Sequence, residues 1–408
     1  MFASAAVPLS RVDVRAASHT DARAPGAAPK APKTAVGAAA RADHALAPVP
    51  PPAPAPVPTH AGTPLKGAEV TETERIPFAR RYYALQHGGI VRAANAAISC
   101  RAVAGDTVSA CATARAGGDA ANQDFDMFYS DVDDDPNTYN STAAELRVPR
   151  GARVSYARLY WGGNLLVGEQ KPARDNGRVL IAEQGGSYRE ILADTVIGHR
   201  TSGGADAYQA SAEVTDFVRD SGSGTYTVAQ INVAMGRSAV GAWGGWTLVV
   251  AYQKYDAPLR HLAVWDGFET LDAGSAELRL DFGDMRMPKG ATGGLGVVAY
   301  DGDRGVTGDA LMVETGRAGD ARGKVVPHTV LSNNANNPYD VMNSSVSDAS
   351  SEPMERNPAY VNTLGYDSDV FDLRGALISG GDRLSVRFNT GRDGVWLGVF
   401  FVEADAQS

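Results

Sequence analysis

Strict alternation of apolar and polar residues marks two stretches in the second half of the chain. In "AELRLDF" (276–282), Ala276, Leu278, Leu280 and Phe282 fall on one side, and Glu277, Arg279 and Asp281 on the other. That is the period of an antiparallel strand with one face on a core and one in water. "RLSVRFN" (383–389) repeats it with Leu384, Val386 and Phe388 inward. "GTYTVAQINV" (224–233) is rich in β-branched residues, which suit a pleated surface. "GWTLVVAY" (245–252), "GLGVVAY" (294–300) and "GVWLGVFFV" (394–402) are short, continuously apolar and begin at glycine. They read as central strands covered on both faces. One short helix is expected near 209–220, where Val214, Phe217 and Val218 share a face.

Short strands punctuated by 45 glycines and 22 prolines predict an all-β fold, an antiparallel β-sandwich with jelly-roll or Greek-key wiring. At 408 residues the chain exceeds one ordinary domain. Two packed sandwich domains are therefore expected, over 67–255 and 256–408, meeting near "YQKYDAPLRH" (252–261). Residues 1–66 are rich in alanine and proline and are assigned as a disordered leader or polyproline spacer. His44 and His60 lie in that spacer, and folded sequence is expected to begin near Ile76.

The net charge of -9 argues against nucleic acid as a partner, because such binders need a basic face. No apolar run approaches the roughly 20 residues of a transmembrane helix. The only cysteines, Cys100 and Cys111, bracket the short loop of "SCRAVAGDTVSAC", a spacing that suits a local disulfide and an oxidising compartment. Two free buried thiols are the alternative.

Two acidic loops carry the candidate chemistry. In "SDVDDDPNTYN" (130–140), Asp131, Asp133 and Asp135 occupy the offsets of the first three ligands of an EF-hand. Pro136 replaces the required glycine and Thr142 the closing glutamate, so the EF-hand reading fails. "YDGDRGVTGDAL" (300–311) supplies Asp301, Asp303 and Asp309 among glycines, with a thinner third set at Asp367 and Asp369. Calcium, a hard cation that takes carboxylate and carbonyl oxygens, is the candidate cofactor for the six aspartates of the two loops. Solvated carboxylates, or neutralisation by Arg304, would serve without any ion. "NNANNPYDVMNSS" (333–345) reads as a surface excursion folded back by side-chain caps on its own backbone.

No nucleophile elbow, phosphate loop, zinc helix or C-x-x-C pair occurs. His199, His261 and His328 have no evident partner set, and His261, at a strand entrance after Arg260, is expected to satisfy loop carbonyls. Trp161, Trp243, Trp246 and Trp265 are read as core plugs, with a sugar-stacking platform as the alternative. No catalytic or cofactor-binding residue is assigned, and the chain is read as not an enzyme.

The blocks "DFDMFYSDVDDDPNTYNSTAAELRVPRGARVSYARLYWGG", "GGWTLVVAYQKYDAPLRHLAVWDGF", "GVVAYDGDRGVTGDAL" and "RNPAYVNTLGYDSDVFD", in order across about residues 84–405, resemble a module of unknown function. That module stands near the amino end of large secreted and cell-surface proteins of actinobacteria and related bacteria, often ahead of repetitive surface domains. The resemblance implies an all-β fold, export and a place on the cell envelope, and it supplies no catalytic residue. The expected role is a non-enzymatic secreted or cell-surface scaffold presenting acidic and Asn-rich loops to protein or glycan. A carbohydrate-binding module and an envelope glycosidase or metal-dependent hydrolase are the alternatives.

Overall fold

In the computed structural model the chain builds four stacked layers of β-sheet. Residues 70–102, 106–133, 135–272, 277–317, 328–349 and 353–407 are described, all within one unit, Leu65–Ser408. The leader expected over 1–66 and the strand position expected for Ala276 lie outside the described residues.

Eleven strands hydrogen-bond in one continuous sheet that forms both inner layers. The first inner layer runs Glu72–Thr73, Ile197–Ser202, Ala205–Glu213, Arg153–Asn164, Gly244–Gln253 and Ile76–Ala96. The second continues from Ile76–Ala96 through Leu259–Leu271, Val395–Asp405, Gly293–Tyr300, Tyr366–Asp372 and Val346–Ser347. Strand Ile76–Ala96 belongs to both. Gly88 to Ala96 pair with the Gly244–Gln253 strand, and Ile76 to His87 pair with Leu259–Leu271. The partner changes at Gly88, where a Cβ would lie 1.9 Å from the Tyr252 carbonyl oxygen. Only glycine permits that passage.

Five strands, Arg356–Asn357, Ser141–Leu146, Gly224–Ala229, Arg178–Glu183 and Arg189–Leu192, form the first outer layer. Four, Leu278–Met287, Gly381–Asn389, Ala310–Gly316 and His328–Val330, form the second. The inner strands Gly244–Gln253, Gly293–Tyr300 and Val395–Asp405 have core on both sides, which is why they are continuously apolar. From Gly244–Gln253, Trp246, Leu248 and Val250 join Val228 and Ile181 of the first outer layer. Val249 and Ala251 face the other inner layer. From Gly293–Tyr300, Leu295 and Val297 meet Leu311, Val386 and Phe388 of the second outer layer, while Val298 and Tyr300 turn to the middle. The two alternating stretches form outer strands with Leu280, Phe282, Leu384, Val386 and Phe388 inward. Arg279 and Asp281 point outward to Glu314 and Arg383. Each fully buried aromatic or aliphatic side chain contributes about 2 kcal/mol.

The connection between Gln253 and Leu259 carries the chain from the first pair of layers to the second. Residues on both sides of it belong to one sheet, and the middle core cluster draws on both halves, from Tyr156 and Trp243 to Tyr366 and Phe401.

The helix expected over 209–220 is shorter. Gln209 to Glu213 continue as strand against Arg158 to Gly162, and the helix is Thr215–Ser221. A second helix, Asp106–Arg115, begins inside the cysteine loop and carries Cys111. The Cys100–Cys111 disulfide, with Cα atoms 5.8 Å apart, fastens it to the Ile98–Cys100 strand.

Candidate functional site

At one end of the inner layers, strand Gly293–Tyr300 ends, Tyr366–Asp372 begins, and Val395–Asp405 is entered from the turn at Thr390 to Gly394. Seven aspartates gather here: Asp301, Asp303, Asp309, Asp340 and Asp393 from loops, and Asp367 and Asp369 from strand Tyr366–Asp372. Asp301 takes a left-handed backbone with φ 67°, which aspartate tolerates better than most residues. Its Oδ1 accepts from Asn122 Nδ2 at 3.2 Å, and Asp303 Oδ1 accepts from the same nitrogen at 3.1 Å. Asp393 Oδ2 accepts the Asp303 backbone N–H at 2.8 Å. These three carboxylates line a cavity of about 180 Å³ with Gln123, Asp272 and Trp396, and among the described residues no lysine or arginine lines it.

Burial and mutual repulsion disfavour ionisation here. Burial pushes Asp393 up to about 8, reinforced by the charge of Asp303. Burial raises Asp303 to about 6, and it moves Asp301 well above the usual carboxylate range with help from Asp303 and Asp393.

Asp309, Asp367 and Asp369 fasten the Asn-rich loop, and Asp340, within that loop, ties it to the 300–311 stretch. Asp309 Oδ2 accepts the N–H groups of Val341 and Met342 at 2.8 and 2.6 Å. Asp367 Oδ1 accepts the Ser345 N–H at 2.9 Å. Asp369 Oδ1 accepts from the Ser345 hydroxyl and from the N–H and hydroxyl of Ser347. Asp340 Oδ2 accepts the Gly305 N–H at 2.9 Å. The loop's asparagines fold it back on itself: Asn333 Oδ1 accepts from Ala335 N and Asn336 N, and Asn343 donates to the carbonyls of Ala335 and Asp340. Burial moves Asp309 up to about 6, and burial with the charge of Asp369 beside it raises Asp367 well above the usual carboxylate range. Arg304 sends Nη2 towards Asn343 Oδ1 at 3.4 Å and the Val361 carbonyl at 3.5 Å, and its charge reaches Asp340.

Beside this loop lies a cleft of about 900 Å³. Ser332, Asn333, Asn334, Ser347 and Arg356 line it together with the apolar Val346 and Met354.

The first acidic set is organised differently. Asp131 Oδ1 accepts from Ser141 Oγ at 2.7 Å. Asp133 Oδ1 accepts from Asp135 N and Thr138 Oγ1, and its Oδ2 from Tyr188. Asp135 Oδ1 accepts from the backbone and side-chain nitrogens of Asn137. Burial pushes Asp133 up, but the bonds from Tyr188, Asp135 and Thr138 outweigh it and leave the group below its ordinary value. Among the described residues, no hydrogen bond joins this set to Asp301, Asp303 or Asp309. Nor are three His, Cys, Asp or Glu side chains placed to share a metal ion among those residues.

Asn122, Asp340 and Asp393 were not singled out by the sequence; each is alone in its stretch and joins the others only through the fold. His199, which has no evident partner in its own stretch, bridges Glu72 Oε2 through Nδ1 and Asp206 Oδ1 through Nε2, each at 2.7 Å. His261 contacts the Arg286 carbonyl through Nε2 at 3.2 Å, a carbonyl of strand Leu278–Met287 where a loop carbonyl was expected, and Tyr83 through Nδ1. Trp161, Trp243 and Trp246 are fully buried, and Trp265 packs on Phe282. No family model matches the chain, and no curated protein matches it significantly.

Proposed function

We propose that the chain is a non-enzymatic scaffold of the cell surface or secreted space that binds a glycan in the cleft beside the Asn-rich loop. The observation that carries this reading is the pinning of the loop from beneath. Asp309, Asp367 and Asp369 fix the backbone of Val341 to Ser347 through buried hydrogen bonds. A loop fixed before binding loses little conformational entropy on meeting a ligand. Amides, hydroxyls and the carboxylates of Asp348, Glu355 and Asp372 in one cleft match the hydroxyl groups of a sugar chain. The disulfide supports an oxidising compartment, and the sequence resemblance to envelope modules supports the same location.

The test is a glycan array probed with the full chain and with Asn334→Trp. Asn334 is exposed on the cleft wall, so the indole would fill the cleft without opening the core. Retention of one glycan class by the wild type, lost in the variant, supports the reading. No retention, or retention unchanged by the indole, refutes it.

A second reading, an envelope glycosidase, draws on the small cavity, where Asp393 is held protonated at neutral pH beside Asp303. One protonated and one ionised carboxyl is the working pair of such enzymes. Release of reducing ends by the wild type but not by Asp393→Asn would favour it.

A further inference from the structure

We infer that a calcium ion belongs between the carboxylates of Asp309 and Asp367, beside the Met342 carbonyl. Both side chains are almost wholly removed from solvent, with relative exposures of 1% and 0%. Each has one oxygen committed to backbone N–H groups, and that bond fixes where the other oxygen points. The other oxygen, Oδ1 of Asp309 and Oδ2 of Asp367, is buried without any partner. Asp340 Oδ1 and Asp369 Oδ2 close by are orphaned in the same way. A buried carboxylate oxygen without a donor is costly, and several together are rarely tolerated.

Met342 ties the two carboxylates together. Its N–H donates to Asp309 Oδ2 at 2.6 Å. Its carbonyl oxygen and Asp367 Oδ2 both crowd the bare Cα of Gly302, where a Cβ would lie 2.3 Å from the first and 2.6 Å from the second. Asp309 and Asp367 also feel each other's charge. Arg304, whose charge reaches Asp367, spends its Nη2 on Asn343 and Val361.

The chemistry selects the ion. The groups at hand are carboxylate and carbonyl oxygens, with no imidazole or thiolate among them, the ligand set of a hard cation. Calcium completes a shell of six to eight oxygens with carbonyls and water, so two carboxylates suffice where no acidic triad forms. The spacing in "YDGDRGVTGDAL" groups Asp309 with Asp301 and Asp303, but the fold turns those two to the small cavity and gives Asp309 a partner from another strand.

The test is calorimetric titration of calcium into the full chain after treatment with chelator, at pH 7.5, with thermal unfolding in parallel. The expected result is one calcium per chain and a melting temperature raised by several degrees. Asp309→Asn and Asp367→Asn should each weaken binding at least tenfold and lose the thermal response, while Asp131→Asn keeps both. In chelator the two Asn variants should melt no lower than the wild type, because each removes a buried charge and keeps the side-chain shape. A wild type that takes up no calcium overturns the inference and leaves protons as the agents that neutralise the pair. Wild-type affinity retained in both Asn variants overturns it equally.

Discussion

Replacing Asp393 by asparagine should change how stability depends on pH. Asp393 is 8% exposed and is pushed from 3.8 to about 8, by burial first and by Asp303 second. In the unfolded chain it ionises near 4, whereas in the folded chain it keeps its proton until near 8. A folded value above the unfolded one gives stability that is complete below pH 4 and is lost as pH rises through 8. Between pH 5 and pH 8 the unfolded chain binds about one proton fewer at this group, so stability falls by about 1.4 kcal/mol per pH unit, or roughly 4 kcal/mol over the interval. For a unit of this size that is a change in melting temperature on the order of 5 °C. The amide introduced by Asp393→Asn can still accept the Asp303 N–H through its carbonyl oxygen but carries no charge. The assay is urea unfolding of wild type and Asp393→Asn at pH 5 and pH 8 in chelator. The variant should lose the share of the slope due to Asp393, about 1.4 kcal/mol per pH unit, keep the share due to Asp301, Asp303 and Asp309, and exceed the wild type at pH 8. Parallel pH profiles for the two proteins would refute the reasoning.

Reduction of Cys100–Cys111 should cost about 2–3 kcal/mol on the chain-entropy account, measured by denaturant unfolding with and without reductant, with the peptide linkage checked by mass spectrometry. Gly162→Ala should destabilise by more than about 2 kcal/mol, because its Cβ would sit 2.3 Å from the Tyr208 carbonyl in the shared sheet; thermal unfolding reads this directly. His199 should act as a clamp on the edge strand Glu72–Thr73. Burial opposes its charge, but bonds to Glu72 and Asp206 raise its pKa, so the clamp holds at low pH and weakens as the proton leaves. A neutral ring can donate to only one of the two carboxylates. Limited proteolysis near residue 72 should therefore quicken in the wild type as pH rises past the raised imidazole value, and His199→Gln should abolish that pH dependence.

Strand identity was legible wherever one layer of core explains the pattern. Leu384, Val386 and Phe388 face inward because a single sheet face is buried there, and period two follows directly. The continuous runs at 245–252 and 294–300 were legible for the converse reason, since both faces are covered. Strand Ile76–Ala96 was not legible. It carries Arg80, Arg81, Gly88 and Gly89 and changes partner midway, so no single period runs through it. The helix Asp106–Arg115 has almost no amphipathic stripe and is held by the disulfide and by Arg115, whose Nη2 reaches the Cys100 carbonyl. In the acidic loops, Asp367 and Asp369 share a face because they are two apart in a strand, which the sequence states. Their meeting with Asp309 and Asp340 depends on the crossing of separate loops, and residue spacing does not encode that.

Hydrogen exchange resolved to single amides tests most directly whether the Asn-rich loop is set before any ligand arrives. The amides of Val341, Met342, Ser345 and Ser347, all donors to buried aspartates, should be protected to nearly the degree of the inner strand Gly293–Tyr300. Exchange of these four at the rate of an open surface loop would contradict the account.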